Sequence, residues 1–208
     1  MRVRDQSDSR TVASTARRAQ IVAATIEAIA EEGFGQASFA RIADRAGLSS
    51  TRLISYHFAS KDELIEAVVR DVLGTMATFV GERIDAAEST DGTGNATAIL
   101  RAYIEGNIGF IATHRAHMQA LLQVVLRSGG LPPEAAAQQA EPPLEGLLRH
   151  GQATGEFRSF DVPSVGSAIQ RAIEGLPFLL DAQPDLDCDL YAAELVELYL
   201  RGVRADAA

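Results

Sequence analysis

Apolar residues recur at three- and four-residue intervals along nearly the whole chain, and no stretch keeps the two-residue alternation of a strand. The pattern predicts an all-α protein of about nine helices. A first helix is expected over about 16–32, with Ile21, Ala24, Thr25, Ala28 and Ile29 on one face and Gly33 as its stop. Ser38 can cap a second helix ending near Ala46, with Ile42 and Ala43 inward, and Gly47 supplies the positive φ of a sharp turn. Ser49 can cap a third helix, in which Leu53 and Phe58 point inward. Ser60-Lys61-Asp62-Glu63 has the spacing of a capping box, so a long fourth helix starts there and runs to about Ala87. Residues 88–94 read as a loop. Further helices are expected over about 96–113, 115–126, 134–153 (interrupted by Pro142-Pro143), 163–180 (bent by Gly175 and Pro177) and 189–202. The glycines and prolines of 128–133 mark a break, and 155–160 a turn or short extended piece. Residues 1–14 are polar and aperiodic, the signature of a disordered tail.

The last two helices are the most apolar. Polar residues are confined to Ser167, Gln170, Arg171 and Glu174 in one, and to Glu194, Glu197 and Arg201 in the other. Apolar faces that wide are usually buried on several sides. They suit packing on their own subunit and on a second copy; two central helices of a monomer are the alternative.

A chain of 208 residues can hold one large domain or two small ones. No run of eighteen apolar residues is present, so no membrane span is expected, and the charged first residues have no apolar stretch behind them to make a signal peptide. The single cysteine, Cys188, cannot form an internal disulfide, which points to a reducing cytoplasm. The net charge of −9 is unevenly spread. Residues 1–60 hold eight arginines against six acids, +2, and residues 61–208 hold eleven basic groups against twenty-two acids, −11. A local basic excess can approach DNA if its arginines cluster where phosphates sit.

The richest chemistry lies in 38–58, two short helices joined at Gly47. A helix-turn-helix presents a recognition helix to the DNA major groove in this way. Arg52 suits a base edge, because its fork can bond guanine O6 and N7 together. Ser50, Thr51 and Ser55 suit phosphates or thymine methyls, and Ser49 heads the same helix. Lys61 stands where its charge and a helix N-terminus both attract phosphate, and Ser38 has the same place on the second helix. Arg2, Arg4 and Arg10 could form an arm reaching DNA or belong to a plain tail.

From Arg17 to about Val68 the chain resembles the TetR family of transcriptional regulators. Ile42-Ala43, Ala46-Gly47-Leu48-Ser49, Tyr56-His57-Phe58 and Ser60-Lys61-Asp62-Glu63-Leu64 carry the likeness. The resemblance implies a three-helix DNA-binding head and a larger helical body that binds a ligand and dimerises through its last two helices. It places Tyr56 and His57 on phosphates. In one respect this chain departs from the family pattern: from Gly47 to Phe58 it is one residue longer, with Ser50-Thr51-Arg52 where a glycine is frequent. The register of base contacts is open on that account.

Other sites fail on inspection. Asp185, Asp187 and Asp189 have calcium-loop spacing, but Leu190 replaces the required glycine and Val196 the glutamate, so they are assigned to the N-terminus of the last helix. His114 and His117 lack a third metal ligand, Gly92-Thr93-Gly94 lacks the third glycine of a dinucleotide loop, and no catalytic motif is found. No metal, cofactor or catalytic residue is assigned. A ligand cavity is expected among the fourth to eighth helices, lined by Met76, Phe79, Tyr103, Asn107, Phe110, His114, Met118, Gln123 and Phe178, which mix apolar walls with a few polar handles. The division expected is a tail over 1–14, a DNA-binding head over 15–62 and a ligand-binding, dimerising body over 63–208. The function expected is a homodimeric repressor that leaves double-stranded operator DNA when a small-molecule effector binds, with dimer contacts near 163–180 and 189–202. The alternative is a helical binding or adaptor protein that does not read DNA sequence.

Overall fold

The computed structural model describes residues 3–91, 95–132 and 143–205. Ten helices lie within them: α1 (Val3–Glu32), α2 (Phe39–Arg45), α3 (Arg52–His57), α4 (Lys61–Asp91), α5 (Ala96–Thr113), α6 (Arg115–Ser128), α7 (Pro143–Thr154), α8 (Val162–Glu174), α9 (Leu176–Ala182) and α10 (Cys188–Val203). The only extended pairing among the described residues is an isolated antiparallel bridge between Phe157 and Arg204. The protein is all-α, as the periodicity predicts.

Three boundaries differ from expectation. α1 begins at Val3, so the segment expected to be disordered is helical from there. Arg4, Gln6, Arg10 and Ala13 are good helix formers, and they extend a helix already nucleated by the apolar face. α4 continues through Glu88–Asp91, where a loop was expected, because neither glycine nor proline intervenes before Gly92. The helix expected over 163–180 is divided at Gly175. Pro177 has no N–H to donate to the carbonyl of Ile173, so the ladder breaks there and does not merely bend. The Gly92–Gly94 motif, residues 134–142 of the seventh expected helix, and the side chains of an arm at Arg2, Arg4 and Arg10 lie outside the described residues.

The chain forms two compact units, Met1–Leu73 with Ala116–Ala137 and Gly74–Arg115 with Gln138–Ala208. In the first, the apolar face of α1 supplies buried Ile21, Ala24, Ala28 and Ile29. Ile42 and Ala43 of α2, Ile54, Phe58, and Leu64 and Val68 of α4 join them, with Ala120, Leu121 and Val124 of α6. Thr25, fully buried among them, donates its hydroxyl to the Ile21 carbonyl at 2.7 Å. This compact unit reaches past residue 62, taking in the start of α4 and most of α6.

Gln123 of α6 fixes the end of α1 in this unit. Its Oε1 accepts from the Phe34 N–H at 2.7 Å, and its Nε2 donates to the Ile29 carbonyl at 3.0 Å. In the second unit α5 packs chiefly against α10 and α7. Gly151 allows the Phe157 ring to sit against α7: a Cβ there would lie 2.2 Å from the ring. Asp187 caps α10 by accepting from the Leu190 N–H at 2.9 Å, and Asp189 lies in its first turn.

Gln123→Leu keeps the volume but leaves the Phe34 N–H without its acceptor. It is expected to cost about 1–3 kcal/mol of stability, read as a lower urea midpoint at unchanged slope.

Candidate nucleic-acid interface

The connection from α2 to α3 is a Schellman turn. Gly47, at φ +62°, donates to Asp44, and Leu48 donates to the Ala43 carbonyl at 2.8 Å. Gln20 of α1 donates to the Ala46 carbonyl at 2.6 Å and completes the satisfaction of this helix end. The cap of α3 is not Ser49. The extra residue moves the helix start to Arg52, with Thr51 as the half-in residue, and the Ser50 hydroxyl accepts from the Arg52 N–H at 3.1 Å.

α3 buries Ile54 and, one turn on, Phe58. Leu53, expected inward, is 36% exposed. Successive helix positions are rotated by about 100°, so with Ile54 facing the core its neighbour must turn outward. The outward face of α3 carries Arg52, Leu53, Ser55 and Tyr56, the last 81% exposed, and Thr51 and the turn residues Ser49 and Ser50 are exposed beside it. His57 is half-buried, its ring edge-on to Tyr56 at 5.1 Å.

Two helix N-termini belong to the same unit. Ser38 caps α2, accepting from the Arg41 N–H at 3.4 Å, and stays exposed. At α4 the Ser60 hydroxyl accepts from the Glu63 N–H at 3.0 Å, and Glu63 Oε2 accepts from the Ala59 N–H at 2.6 Å, one residue further back than in the usual reciprocal box. Lys61 is half-buried, with Nζ 5.1 Å from the centre of the Phe34 ring.

The arginines of the head are not a loose positive cluster. Arg45 lies within 3.6 Å of Glu27, 2.6 Å of Glu31 and 3.3 Å of Glu32. The Glu31 hydrogen bond, then Glu32, raise its pKa, and Arg45 in turn lowers that of Glu31. Arg41 pairs with Glu32, and Arg18 with Glu63 at 3.2 Å. Arg17 bonds neutral Gln20 at 2.7 Å. Among the described residues Arg52 is exposed and outside any ion pair, which leaves its fork available.

Residues 21–68 match the family described as bacterial regulatory proteins, tetR family. The HTH-type transcriptional regulator BetI of Escherichia coli is 39% identical over 106 residues, 51% of this chain and 52% of that regulator. A solved bacterial regulatory protein in the tetR family from Rhodococcus RHA1 is 26% identical, with a TM-score of 0.73 over 91% of this chain and 98% of its own. Residues 21–68 carry the TetR-family pattern, and the fold is that of solved TetR-family regulators. The aligned region spans about half the length of the curated relatives it matches. The fatty acid degradation regulator FadR from Bacillus halodurans, 18% identical, shares the fold over 88% of this chain and 94% of its own with a TM-score of 0.75.

The residues expected to line a ligand cavity divide. In the second unit, Phe110 stacks on His114 at 4.4 Å, and Phe79 meets both edge-on at 5.6 and 5.3 Å. Arg83 lies over the Phe79 ring at 3.6 Å. Tyr103 donates to Gln170 at 3.0 Å, and burial, then the Glu174 charge, pushes its pKa up to about 12. Buried Asn107 donates to the Tyr103 carbonyl at 2.8 Å. Tyr103, Asn107 and Phe110 form one stripe of α5, His114 caps its C-terminal end, and Met76 lies on α4 in the same unit. Phe178 is exposed on α9. Met118 packs against the core of the first unit, and the amide of Gln123 is committed there to the end of α1.

Arg18 and Gln20 also shape the head, and no motif in the sequence marks them. Arg18 and Gln20 flank the apolar face of α1, just before Ile21, and that adjacency was the available signal.

The Ala59 N–H, then the Arg18 guanidinium, hold the Glu63 carboxyl below its ordinary 4.5. Its stabilising contribution is therefore present above that value and fades as pH falls through the lower folded value. Glu63→Gln is expected to make thermal stability less steeply dependent on pH below about 4.5, in melts across the acid range.

Proposed function

We propose that this protein is a sequence-specific DNA-binding transcriptional regulator, a homodimeric repressor released from its operator by a small-molecule effector. The observation that carries the reading is the outward face of α3. It presents an unpaired arginine, small hydroxyls and a tyrosine on a helix held from behind by Ile54 and Phe58. Arg52 reads a base edge, with Ser55, Thr51 and Ser50 beside it. Tyr56, His57, Ser49, Ser38 and Lys61 bind phosphates and set the register. A head over 15–62 and a body over 63–208 is the functional division that goes with this assignment.

Leu190 and Leu198 of α10, and Phe178 and Leu179 of α9, are exposed on the last helices, which supports dimerisation through them. Two heads would meet half-sites about 34–36 Å apart, one turn of DNA. The effector site is assigned to the α5 stripe with Phe79, where aromatic walls and a few polar groups suit a small molecule. An effector acts by binding one dimer shape better than another.

Arg52→Ala is expected to lower affinity for the DNA flanking the protein's own gene about 10- to 100-fold at fixed salt. The dimer should persist in sedimentation. Unchanged binding removes Arg52 from the interface, and salt-sensitive but unselective binding by the wild type favours an adaptor that does not read sequence. Leu198→Glu is expected to shift the sedimenting species from dimer to monomer.

A further inference from the structure

Arg18 of α1 is engaged on three sides, and each side belongs to an element that frames α3. One guanidinium nitrogen, Nη1, donates to the carbonyl of His57, the last residue of α3. The other, Nη2, reaches Glu63 Oε1 at 3.2 Å. The guanidinium carbon lies 4.1 Å from the centre of the Phe58 ring. Glu63 uses its second oxygen to hold the Ala59 N–H at 2.6 Å. One side chain thus ties the C-terminal end of α3, the link after it and the start of α4 back to α1. The end carbonyls of a helix have no partners within it, and in six residues they are a large share of the whole.

We propose that Arg18 is a positioning residue for DNA reading. It fixes the rotation of α3 against α1, so that Arg52, Ser55 and Tyr56 reach their contacts together, and it does not itself touch DNA. The inference rests on α3 being the recognition helix. Base-edge hydrogen bonds weaken steeply with misalignment, whereas attraction to phosphate does not. Loss of a positioning group therefore lowers selectivity more than total affinity. Loss of a direct phosphate contact would instead weaken binding to every duplex and reduce the salt slope by about one.

The test uses the full chain and two duplexes, the DNA flanking its own gene and a scrambled duplex of equal length and composition, titrated at several salt concentrations. Arg18→Ala is expected to lower the ratio of the two affinities about tenfold, with the salt slope on scrambled DNA unchanged. Arg18→Lys should recover only part of the ratio, because an ammonium cannot serve two acceptors as a fork while stacked on a ring. Glu63→Gln keeps an oxygen for the Ala59 N–H. It should lower the ratio less, and add nothing when combined with Arg18→Ala. Wild-type selectivity in Arg18→Ala overturns the proposal, as does equal weakening on both duplexes with a reduced slope. If the alanine variant does not fold, Arg18→Lys decides, and full wild-type selectivity in it overturns the proposal. Equal binding of both duplexes by the wild type overturns the recognition reading itself, and the inference with it.

Discussion

Burial of Ile54 and Phe58 against the face of α1 holds α3 in place, and the outward side chains of the head depend on it. Two fully buried side chains of this size contribute about 1.5–3 kcal/mol each. Ordering a residue's backbone costs about 1–2 kcal/mol, so six residues cost more than the two anchors supply. The surplus must come from shared structure: the Schellman turn at Gly47, the core that receives the anchors, and the Arg18 bonds at the far end. The outward surface of α3 is therefore a property of the whole three-helix arrangement. A six-residue peptide of the same sequence would not form it.

Electrostatics points the same way. Counted along the sequence, the first sixty residues carry a small positive balance. In the fold, Arg45, Arg41 and Arg18 are absorbed by Glu27, Glu31, Glu32 and Glu63. What remains for a polyanion is sparse, and Arg52 is its best-placed member. A head built this way relies on where its few free donors stand more than on the depth of its positive field, which favours selectivity over indiscriminate attraction to DNA.

Much of this was legible in the sequence. The 3.6-residue period of 21–29 named the supporting face, Gly47 the turn, and Ser60 with Glu63 the start of α4, because each rests on local chemistry. Leu53 and Ile54 were not separable on that basis. Both are apolar, and only the true start of α3 decides which faces the core. Ser49 failed as a cap for the same reason, since one extra residue shifts the helix origin. Gln123 was misread because its partners, Ile29 and Phe34, lie some ninety residues away, and no local pattern marks an amide that completes a distant helix end. The break at Gly175 was visible as glycine and proline, but whether they bend or divide a helix depends on packing around them.

The division of labour within α3 has an evolutionary consequence. The anchors Ile54 and Phe58 alternate with positions that face solvent, so 51, 52, 53, 55 and 56 can change without entering the core. With α3 as the proposed recognition helix, operator preference and stability are nearly separate heritable traits. A duplicated gene could drift to a new DNA sequence through those five codons alone, while its folding stayed under the selection it already had.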